Sequence, residues 1–227
     1  MLDSVYNQRR YEGISFDKAT PSALVSAGEI PLNESPETTH LSVVDGHGNA
    51  VSITTTLNSS FGNKVMVQGA GFFLNNEMDD FSSKPGTPNL YGLIGGEANA
   101  IAPNKRMLSS MTPTIVTYND KLKMVLGTPG GSTIITSVYQ TLLNVIDHGM
   151  GMQEAVNAKR VHHQWYPDEI RVETDALSNS TQALLEALGH RLRMTDKIGR
   201  MDCILVLPDG RLEGGADPRG DNTALGY

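Results

Sequence analysis

The sequence predicts an α+β fold in which antiparallel sheets carry helices on their outer sides. Two hairpin patterns rich in β-branched residues come first, a helical pattern follows a Gly-rich turn, and a last hairpin closes around Asp209-Gly210. Strands, then helices, then further strands are the order expected of such layered proteins. The chain of 227 residues is long enough to bury one core of this kind.

The segment before residue 38 differs in character from the remainder. Four residues that disfavour helix interrupt it, namely Pro21, Gly28, Pro31 and Pro36. Residues 17–37 are therefore predicted to be extended or irregular. We interpret this segment as an arm that leads to a strand beginning at Thr38.

The strand predictions depend on alternation and on turn residues. The first hairpin joins 41–44 to 50–57 across the turn 45–49, which is rich in residues that tolerate positive φ. The other predicted strands are 69–75, 114–118, 123–126, 170–173, 203–207 and 211–215. The loop from 75 to about 111 is long enough to be a functional lid or to be disordered.

Three helices are predicted after the Gly-rich turn at 127–132. In the first, apolar residues recur close to helical period and Gly149 marks the end. These apolar residues are Ile134, Ile135, Val138, Leu142, Val145 and Ile146. Shorter helices are predicted at about 153–159 and 180–188.

Composition argues against several kinds of partner. The net charge of −7 disfavours nucleic acid, and no apolar run approaches the roughly 20 residues of a membrane span. Cys203 is the only cysteine, which leaves no intrachain disulfide and no thiolate metal site. The six histidines lack a metal-binding spacing, so neither a metal nor a cofactor is expected.

Thr38 is the first candidate for a nucleophile. It begins a strand after a Pro-containing segment. Cleavage between Glu37 and Thr38 would free an α-amine beside the Thr38 hydroxyl, so that one residue would supply both nucleophile and base. Paired threonines before a strand are also ordinary β-propensity, and this pattern alone leaves both interpretations open.

Three further patterns each have a chemical and a structural interpretation. Gly130 and Gly131 precede a helix N-terminus, where their N–H groups suit an oxyanion hole or simply form a tight turn. The amides and carboxylates of 75–81 suit a substrate ammonium, or form a solvated acidic loop. Ser109 and Ser110 suit a substrate carboxylate, or are turn residues.

In combination these motifs resemble the gamma-glutamyltransferase (gamma-glutamyl transpeptidase) family of N-terminal-nucleophile hydrolases. The matching runs follow the family's order and are TTHLSVVDGHGNAVSITTTLNSSFG, GFFLNNEMDDF, KPGTPNLYGLIGGEANAIAPNKR, LSSMTPTIV, GTPGGSTIITSV and ADPRGDNTALGY. The resemblance implies an αββα sandwich, two antiparallel β-sheets between helix layers, of which this chain holds the small-subunit part. It also implies a precursor that cuts itself, with residues 1–37 as the C-terminal arm of the large subunit and 38–227 as the small, catalytic subunit.

The resemblance also implies roles for individual residues. By position, Thr38 attacks the Glu37 carbonyl during self-cleavage and later the γ-glutamyl amide of glutathione or a similar donor. The acyl-enzyme then passes the γ-glutamyl group to water or to an amino acid or peptide acceptor. The other matched residues are Thr56, which hydrogen-bonds the nucleophile; Gly130 and Gly131, the oxyanion hole; Asn58, Glu77 and Asp80, which hold the α-ammonium; Ser109 and Ser110, which hold the α-carboxylate; and Tyr91, in the lid loop.

The family is secreted or periplasmic, so the resemblance implies one of these locations. The large subunit of the family supplies an arginine for the substrate carboxylate and half the fold, and only its last segment precedes Thr38 here. The alternative is therefore an uncleaved or truncated, inactive fragment that acts as a structural or partner module. With the bond between Glu37 and Thr38 intact, Thr38 has no free amine, and little transferase activity is expected without a large-subunit partner.

Overall fold

A computed structural model describes residues 8, 11–25, 37–59, 61–89 and 93–226, and within these ranges the α+β class is confirmed. The strands are β1 (Glu37–Val44), β2 (Ala50–Asn58), β3 (Thr114–Tyr118), β4 (Lys121–Gly127), β5 (Val161–His162), β6 (Ile170–Glu173), β7 (Leu192–Thr195), β8 (Asp202–Val206) and β9 (Leu212–Ala216). The α-helices are α1 (Ile134–Ile146), α2 (Met152–Asn157) and α3 (Asn179–Ala187). Short 3₁₀ helices lie at Ser22–Leu24, Glu77–Asp80, Glu97–Asn99 and Gly131–Thr133.

The elements form stacked layers. The antiparallel β1–β2 hairpin packs on one face of the antiparallel sheet β3-β4-β8-β9, and α1 and α2 cover the other face of that sheet. Two β layers and one helix layer of an αββα sandwich are therefore present in this chain. A third, smaller sheet has the order β5-β6-β7.

The main core lies between the four-stranded sheet and the helices. It contains Met124, Leu126, Val138, Met152, Val156, Met201, Cys203 and Leu205, each at most 5% exposed. The helical spacing of α1 and the alternation of β4 and β8 turn these side chains toward one another, as the sequence pattern predicts. This core fixes the end of β4, from which the turn at Gly130 and Gly131 continues.

The β1–β2 hairpin has its polar side inward and its apolar side outward. Inward, Ser42 Oγ donates to the carbonyl of Asp202 over 2.9 Å, and Ser52 Oγ donates to the carbonyl of Leu126 over 3.0 Å. Outward, five apolar side chains are 37–55% exposed: Leu41, Val43, Val51, Ile53 and Leu57. A contiguous apolar patch of this kind is typical of a surface that another part of an assembly covers.

The predicted strand at 69–75 is wrong. This segment is a loop with one isolated bridge, between Met66 and Phe73. Gly69 and Gly71 have φ values of 82° and 75°, in a region where an extended strand cannot continue.

The third sheet departs from the antiparallel expectation. β6 pairs antiparallel with β5 but parallel with β7. Neither β5 nor β7 was predicted, because β5 has only two residues and β7 (Leu192–Thr195) only four, which is too short a run for its alternation to indicate a strand.

Candidate active site

Thr38 lies near the start of β1, directly across the hairpin from Thr56 in the Cα register. The register shifts between Glu37 and Thr38, so an irregularity in the strand pairing coincides with the peptide bond that the sequence marks for cleavage. Such irregularities re-aim side chains and are frequent beside active sites. The structure therefore pairs two of the predicted catalytic residues.

Asn58 ends β2 in a left-handed conformation, with φ of 76°, which Asn adopts more readily than most residues. Its backbone N–H donates to Thr56 Oγ1 over 2.9 Å, and its Nδ2 donates to the carbonyl of Asn76 over 3.1 Å. The residue is fully buried. Asn58 is thus fixed between the Thr38–Thr56 pair and the acidic loop that follows Asn75.

Asn76 connects this acidic loop to the end of β2. Its Oδ1 accepts the backbone N–H of Ser59 over 3.0 Å, and its own backbone N–H donates to the carbonyl of Leu57 over 3.0 Å. These bonds place the 3₁₀ helix Glu77–Asp80 beside Asn58. The role of Asn76 was not predicted, although it lies within the run of amides that the sequence singled out.

Asp80 and Ser110 form a buried pair, in which Ser110 Oγ donates to Asp80 Oδ2 over 3.1 Å. The pKa of Asp80 is raised to about 6, chiefly by burial and also by the nearby carboxylates of Glu77 and Asp79, against the opposing effect of the Ser110 hydrogen bond. Burial also raises the pKa of Glu77. Because the charged form of Asp80 is disfavoured in this site, a cation beside it would be strongly favoured.

Two other predicted residues are not joined to this cluster. Ser109 is exposed, and its Oγ donates to the carbonyl of Met111 over 3.4 Å. Tyr91 lies outside the described residues. The predicted pair of carboxylate donors is therefore split between one buried and one exposed hydroxyl.

Gly130 and Gly131 form the turn between β4 and the 3₁₀ helix that precedes α1, with φ values of 145° and 58° that favour glycine. The carbonyl of Gly130 accepts from the backbone N–H of Thr133 over 3.2 Å and from its Oγ1 over 2.8 Å. A Cβ added at Gly130 would lie 2.6 Å from Thr133 Oγ1. The turn is tight, as one interpretation predicted, and a role as oxyanion donors stays a prediction.

His40 connects the nucleophile strand to the strand that leads into this turn. Its ring packs on Gly127 so closely that a Cβ there would lie 2.1 Å from its Cε1. Its Nδ1 is 2.8 Å from Thr54 Oγ1, and its Nε2 is 3.0 Å from Ser42 Oγ. Burial lowers the pKa of His40 to about 4, so the ring is neutral at pH 7. A role for His40 was not predicted from the sequence, although the alternation of polar and apolar side chains in β1 places it on the inward side of the strand.

A cavity of about 530 Å³ lies on the other side of the glycine turn. Its lining includes Gly130, Gly131, His162, Arg171 and Arg193. Neither Thr38 nor Asp80 lines it, so it meets the predicted site only at the two glycines.

Residues 8, 11–25, 37–59, 61–89 and 93–226 contain neither a candidate metal site nor a membrane-spanning helix. No group of three or more His, Cys, Asp or Glu side chains there is arranged to hold a metal ion. In the same ranges, no helix has the length and apolar character of a membrane span.

Comparison with known proteins identifies the family. The family model described as gamma-glutamyltranspeptidase matches residues 1–227, the whole chain. This chain belongs to the gamma-glutamyltranspeptidase family. The match covers both the arm before Thr38 and the layered unit that follows it.

Curated relatives are similar over the full length of this family member. The glutathione hydrolase proenzyme of Escherichia coli K12 is 49% identical over 100% of this chain and 39% of its own length. The corresponding proenzyme of Pseudomonas aeruginosa PAO1 is 45% identical over 99% of this chain and 40% of its own. The chain thus spans about two fifths of the length of these relatives.

Solved structures give the same result for the fold. The gamma-glutamyltranspeptidase of Helicobacter pylori is 52% identical with a TM-score of 0.78, and the match covers 80% of this chain and 100% of that one. A cephalosporin acylase from Bacillus halodurans is 28% identical with a TM-score of 0.78, over 99% of this chain and 39% of that one. This chain therefore has the α+β sandwich fold of the N-terminal-nucleophile hydrolases.

The closing motif of this family member forms a buried ion network that the sequence analysis did not predict. Asp217 Oδ2 is 2.9 Å from Arg160 Nη1, and Asp217 Oδ1 accepts from Arg219 Nη1 over 3.0 Å. Glu173 binds Arg219 and accepts the backbone N–H of Ile198 over 2.7 Å. Burial would raise the pKa of Asp217, but Arg160 and backbone N–H donors hold it below its usual range. The network fixes the loop that packs behind Gly130.

Proposed function

We propose that the protein containing this chain cuts itself between Glu37 and Thr38, and that Thr38 then transfers γ-glutamyl groups. The observation that carries the proposal is the pairing of Thr38 with Thr56 at an irregular point of β1, beside the buried cluster of Asn58 and Asp80. Family membership supports it, since curated relatives are named glutathione hydrolase proenzymes.

The proposed cut makes one residue into two catalytic groups. The Thr38 Oγ attacks the carbonyl carbon of Glu37, and the bond from that carbon to the Thr38 nitrogen breaks, leaving an ester. Water then hydrolyses the ester, which frees the Glu37 carboxylate, the Thr38 hydroxyl and the Thr38 α-amine. The amine is the base that the uncut chain lacks.

In the transfer reaction, the Thr38 Oγ attacks the γ-carbonyl of the donor while the α-amine accepts its proton. Negative charge develops on the carbonyl oxygen, and the N–H groups of Gly130 and Gly131 are the proposed donors to it. The donor's amine leaves with a proton, and the γ-glutamyl ester on Thr38 passes to water or to an amino acid or peptide acceptor. Thr56 positions the nucleophile from the opposite strand.

The donor's α-amino-acid group is proposed to bind at the acidic loop. Glu77 and Asp80 carry negative charge that an α-ammonium neutralises, and Asn58 lies beside them. Ser109 is proposed to donate to the α-carboxylate together with Ser110, whose hydroxyl would turn from Asp80 to do so. Glutathione and other γ-glutamyl compounds carry both groups, which makes them the proposed donors.

The proposal also includes a large subunit that binds this chain, and a boundary between the large and small subunits just before Thr38. The outward apolar side of the β1–β2 hairpin needs a cover, and the chain spans only about two fifths of its curated relatives. Solved family members match 80–81% of this chain with 99–100% of their own chains, which supports a separate unit beginning near Thr38. Residues 1–37 are then the end of the large subunit.

The experiment compares Thr38→Ala with Thr39→Ala in the full precursor. We expect Thr38→Ala to stay uncut and to release no γ-glutamyl product, whereas Thr39→Ala is cut and active, because Thr39 faces outward. Normal processing of Thr38→Ala would refute the assignment. An intact, inactive wild-type precursor would favour the alternative of a non-catalytic partner module.

A periplasmic or extracellular location is part of the proposal and follows from the family resemblance. Fractionation of cells that express the full precursor tests it, with recovery in the cytoplasmic fraction as the contradicting result.

A further inference from the structure

Among the described residues of the arm before Thr38, one is buried against the downstream unit, namely Ser22. Ser22 is 2% exposed, whereas its neighbours Phe16 and Leu24 are 75% and 78% exposed. The buried contact is therefore local. It lies in the short 3₁₀ helix Ser22–Leu24, well upstream of the proposed cut.

Side chains of a single downstream loop bind both backbone groups of Ser22. Its N–H donates to Asp168 Oδ2 over 3.0 Å, and its carbonyl accepts from Trp165 Nε1 over 2.7 Å. A second contact also binds the arm to the downstream unit, since the backbone N–H of Ala19 donates to the carbonyl of Leu188 over 2.5 Å.

The loop that contains Trp165 and Asp168 is held in place by contacts that do not involve the arm. Arg191 donates to the carbonyl of Asp168 through Nε over 3.1 Å and Nη2 over 3.0 Å. The Trp165 ring packs on Tyr166 with centroids 4.7 Å apart, and the backbone N–H of Trp165 donates to His163 Nδ1 over 3.1 Å. The loop is thus built by the downstream unit and is ready to hold the arm.

The bond to Asp168 is charge-assisted. The N–H of Ser22 is the largest influence on the pKa of Asp168 and lowers it, so the carboxylate is ionised where it accepts this bond. Hydrogen bonds to an ionised acceptor are stronger than those between neutral groups.

We propose that the loop 165–168 is a docking site that keeps the arm bound after the bond between Glu37 and Thr38 is cut. The inference relies on the proposed self-cleavage for its role. The newly formed end at Glu37 moves away from Thr38, while the segment around Ser22 stays bound to the loop 165–168. The active site is freed and the upstream piece is retained.

The test supplies the cut from outside, so that it does not depend on self-cleavage. A recognition sequence for a site-specific protease replaces part of residues 26–36 in the 227-residue chain carrying Thr38→Ala. After cleavage, native gel filtration and mass spectrometry measure how much of the upstream fragment stays with the downstream unit. The chain is compared with Asp168→Ala, Trp165→Phe and the control Glu169→Gln, whose side chain pairs with Arg193 and not with the arm.

We expect the fragment to stay bound in the parent and in Glu169→Gln. Its dissociation constant should rise about tenfold or more in Asp168→Ala, which removes charge-assisted bonds to Ser22, and less in Trp165→Phe, which removes one bond between neutral groups. Circular dichroism before cleavage confirms that each variant is folded; if Asp168→Ala is not, Trp165→Phe decides. Release of the fragment from the folded parent, or equal retention in the folded Asp168 and Trp165 variants, would overturn the proposal. Failure of self-cleavage is recorded separately, by the intact mass of the chain with Thr38 present.

Discussion

Thr38 and Thr56 are direct partners across the β1–β2 hairpin, and the strand register changes at the residue before Thr38. Thr56 Oγ1 in turn accepts the N–H of Asn58. The hydroxyl beside the proposed nucleophile is therefore held by the same residue that begins the buried polar cluster. The proposed nucleophile, the hydroxyl proposed to support it and the proposed substrate contact Asn58 therefore follow one another along a single hairpin.

Replacing Thr56 tests this relationship. We expect Thr56→Val to slow both self-cleavage and donor turnover by about a hundredfold, since a small misplacement of a reacting group costs about this much. Thr56→Ser keeps the hydroxyl and should retain most of the rate. Cleavage is followed by gel electrophoresis and turnover by release of a chromogenic γ-glutamyl amide; a fully active Thr56→Val would exclude the role.

The pKa of Asp80 predicts how donor binding varies with pH. Because the carboxylate is ionised only above a pKa of about 6, the KM for a γ-glutamyl donor should rise as pH falls through 6. Asp80→Asn should raise KM about tenfold or more at pH 8, as expected when a bond to a charged group is lost. Steady-state kinetics between pH 5 and 8.5 measure both effects, and an unchanged KM in the variant would count against ammonium binding here.

The same shift has an opposite consequence for stability. The folded pKa of Asp80 lies above its usual value of 3.8, so its contribution to stability is complete below 3.8 and is lost as pH rises through about 6. Asp80→Asn should therefore unfold at a higher urea concentration than the parent at pH 7.5. A lower midpoint would show that the carboxylate is needed for packing and not only for binding.

His40 predicts a second pH effect on stability, on the acid side. Its folded pKa of about 4 lies below the usual 6.5, so the unfolded chain binds the extra proton between these values. Stability is complete above pH 6.5 and falls by up to roughly 3 kcal/mol as pH drops through about 4. Urea unfolding at pH 7.5 and 4.5 should show a smaller pH dependence in His40→Asn than in the parent. The exposed His148→Gln is the control and should behave as the parent.

The buried ion network predicts a large loss of stability on mutation. Asp217→Ala leaves the guanidinium of Arg160, 1% exposed, without its carboxylate, and should cost about 3–5 kcal/mol of unfolding free energy. Asp209→Ala removes an exposed carboxylate paired with Arg211 and should have a much smaller effect. Equal losses from the two substitutions would argue against a stabilising role for the network.

The hairpins and α1 were predicted because the features that determine them lie close together in the sequence. Alternation and turn residues fix β1–β2, and helical spacing fixes α1. The segment 69–75 failed because Gly69 and Gly71 adopt positive φ, which apolar content does not reveal. β7 was missed because its partner β6 lies far away along the chain, and only tertiary pairing makes it a strand.

The candidate site was likewise predicted in part. Thr38, Thr56, Asn58, Asp80 and Ser110 were named through the family resemblance, and the structure joins Thr56 to Thr38 and Asn58, and Ser110 to Asp80. His40 and the Asp217 network were not predicted, because a charged or titratable side chain in a sequence looks solvated until its burial is known. Their signal lies in the three-dimensional packing and not in spacing.

The most direct test of the central claim is the N-terminal sequence and mass of the subunits in the purified full-length protein. The account predicts a smaller subunit that begins Thr38-Thr39-His40 and a larger one that ends at Glu37, with a single uncut polypeptide in Thr38→Ala. A cut at any other bond, or an uncut wild-type protein that still transfers γ-glutamyl groups, would contradict it.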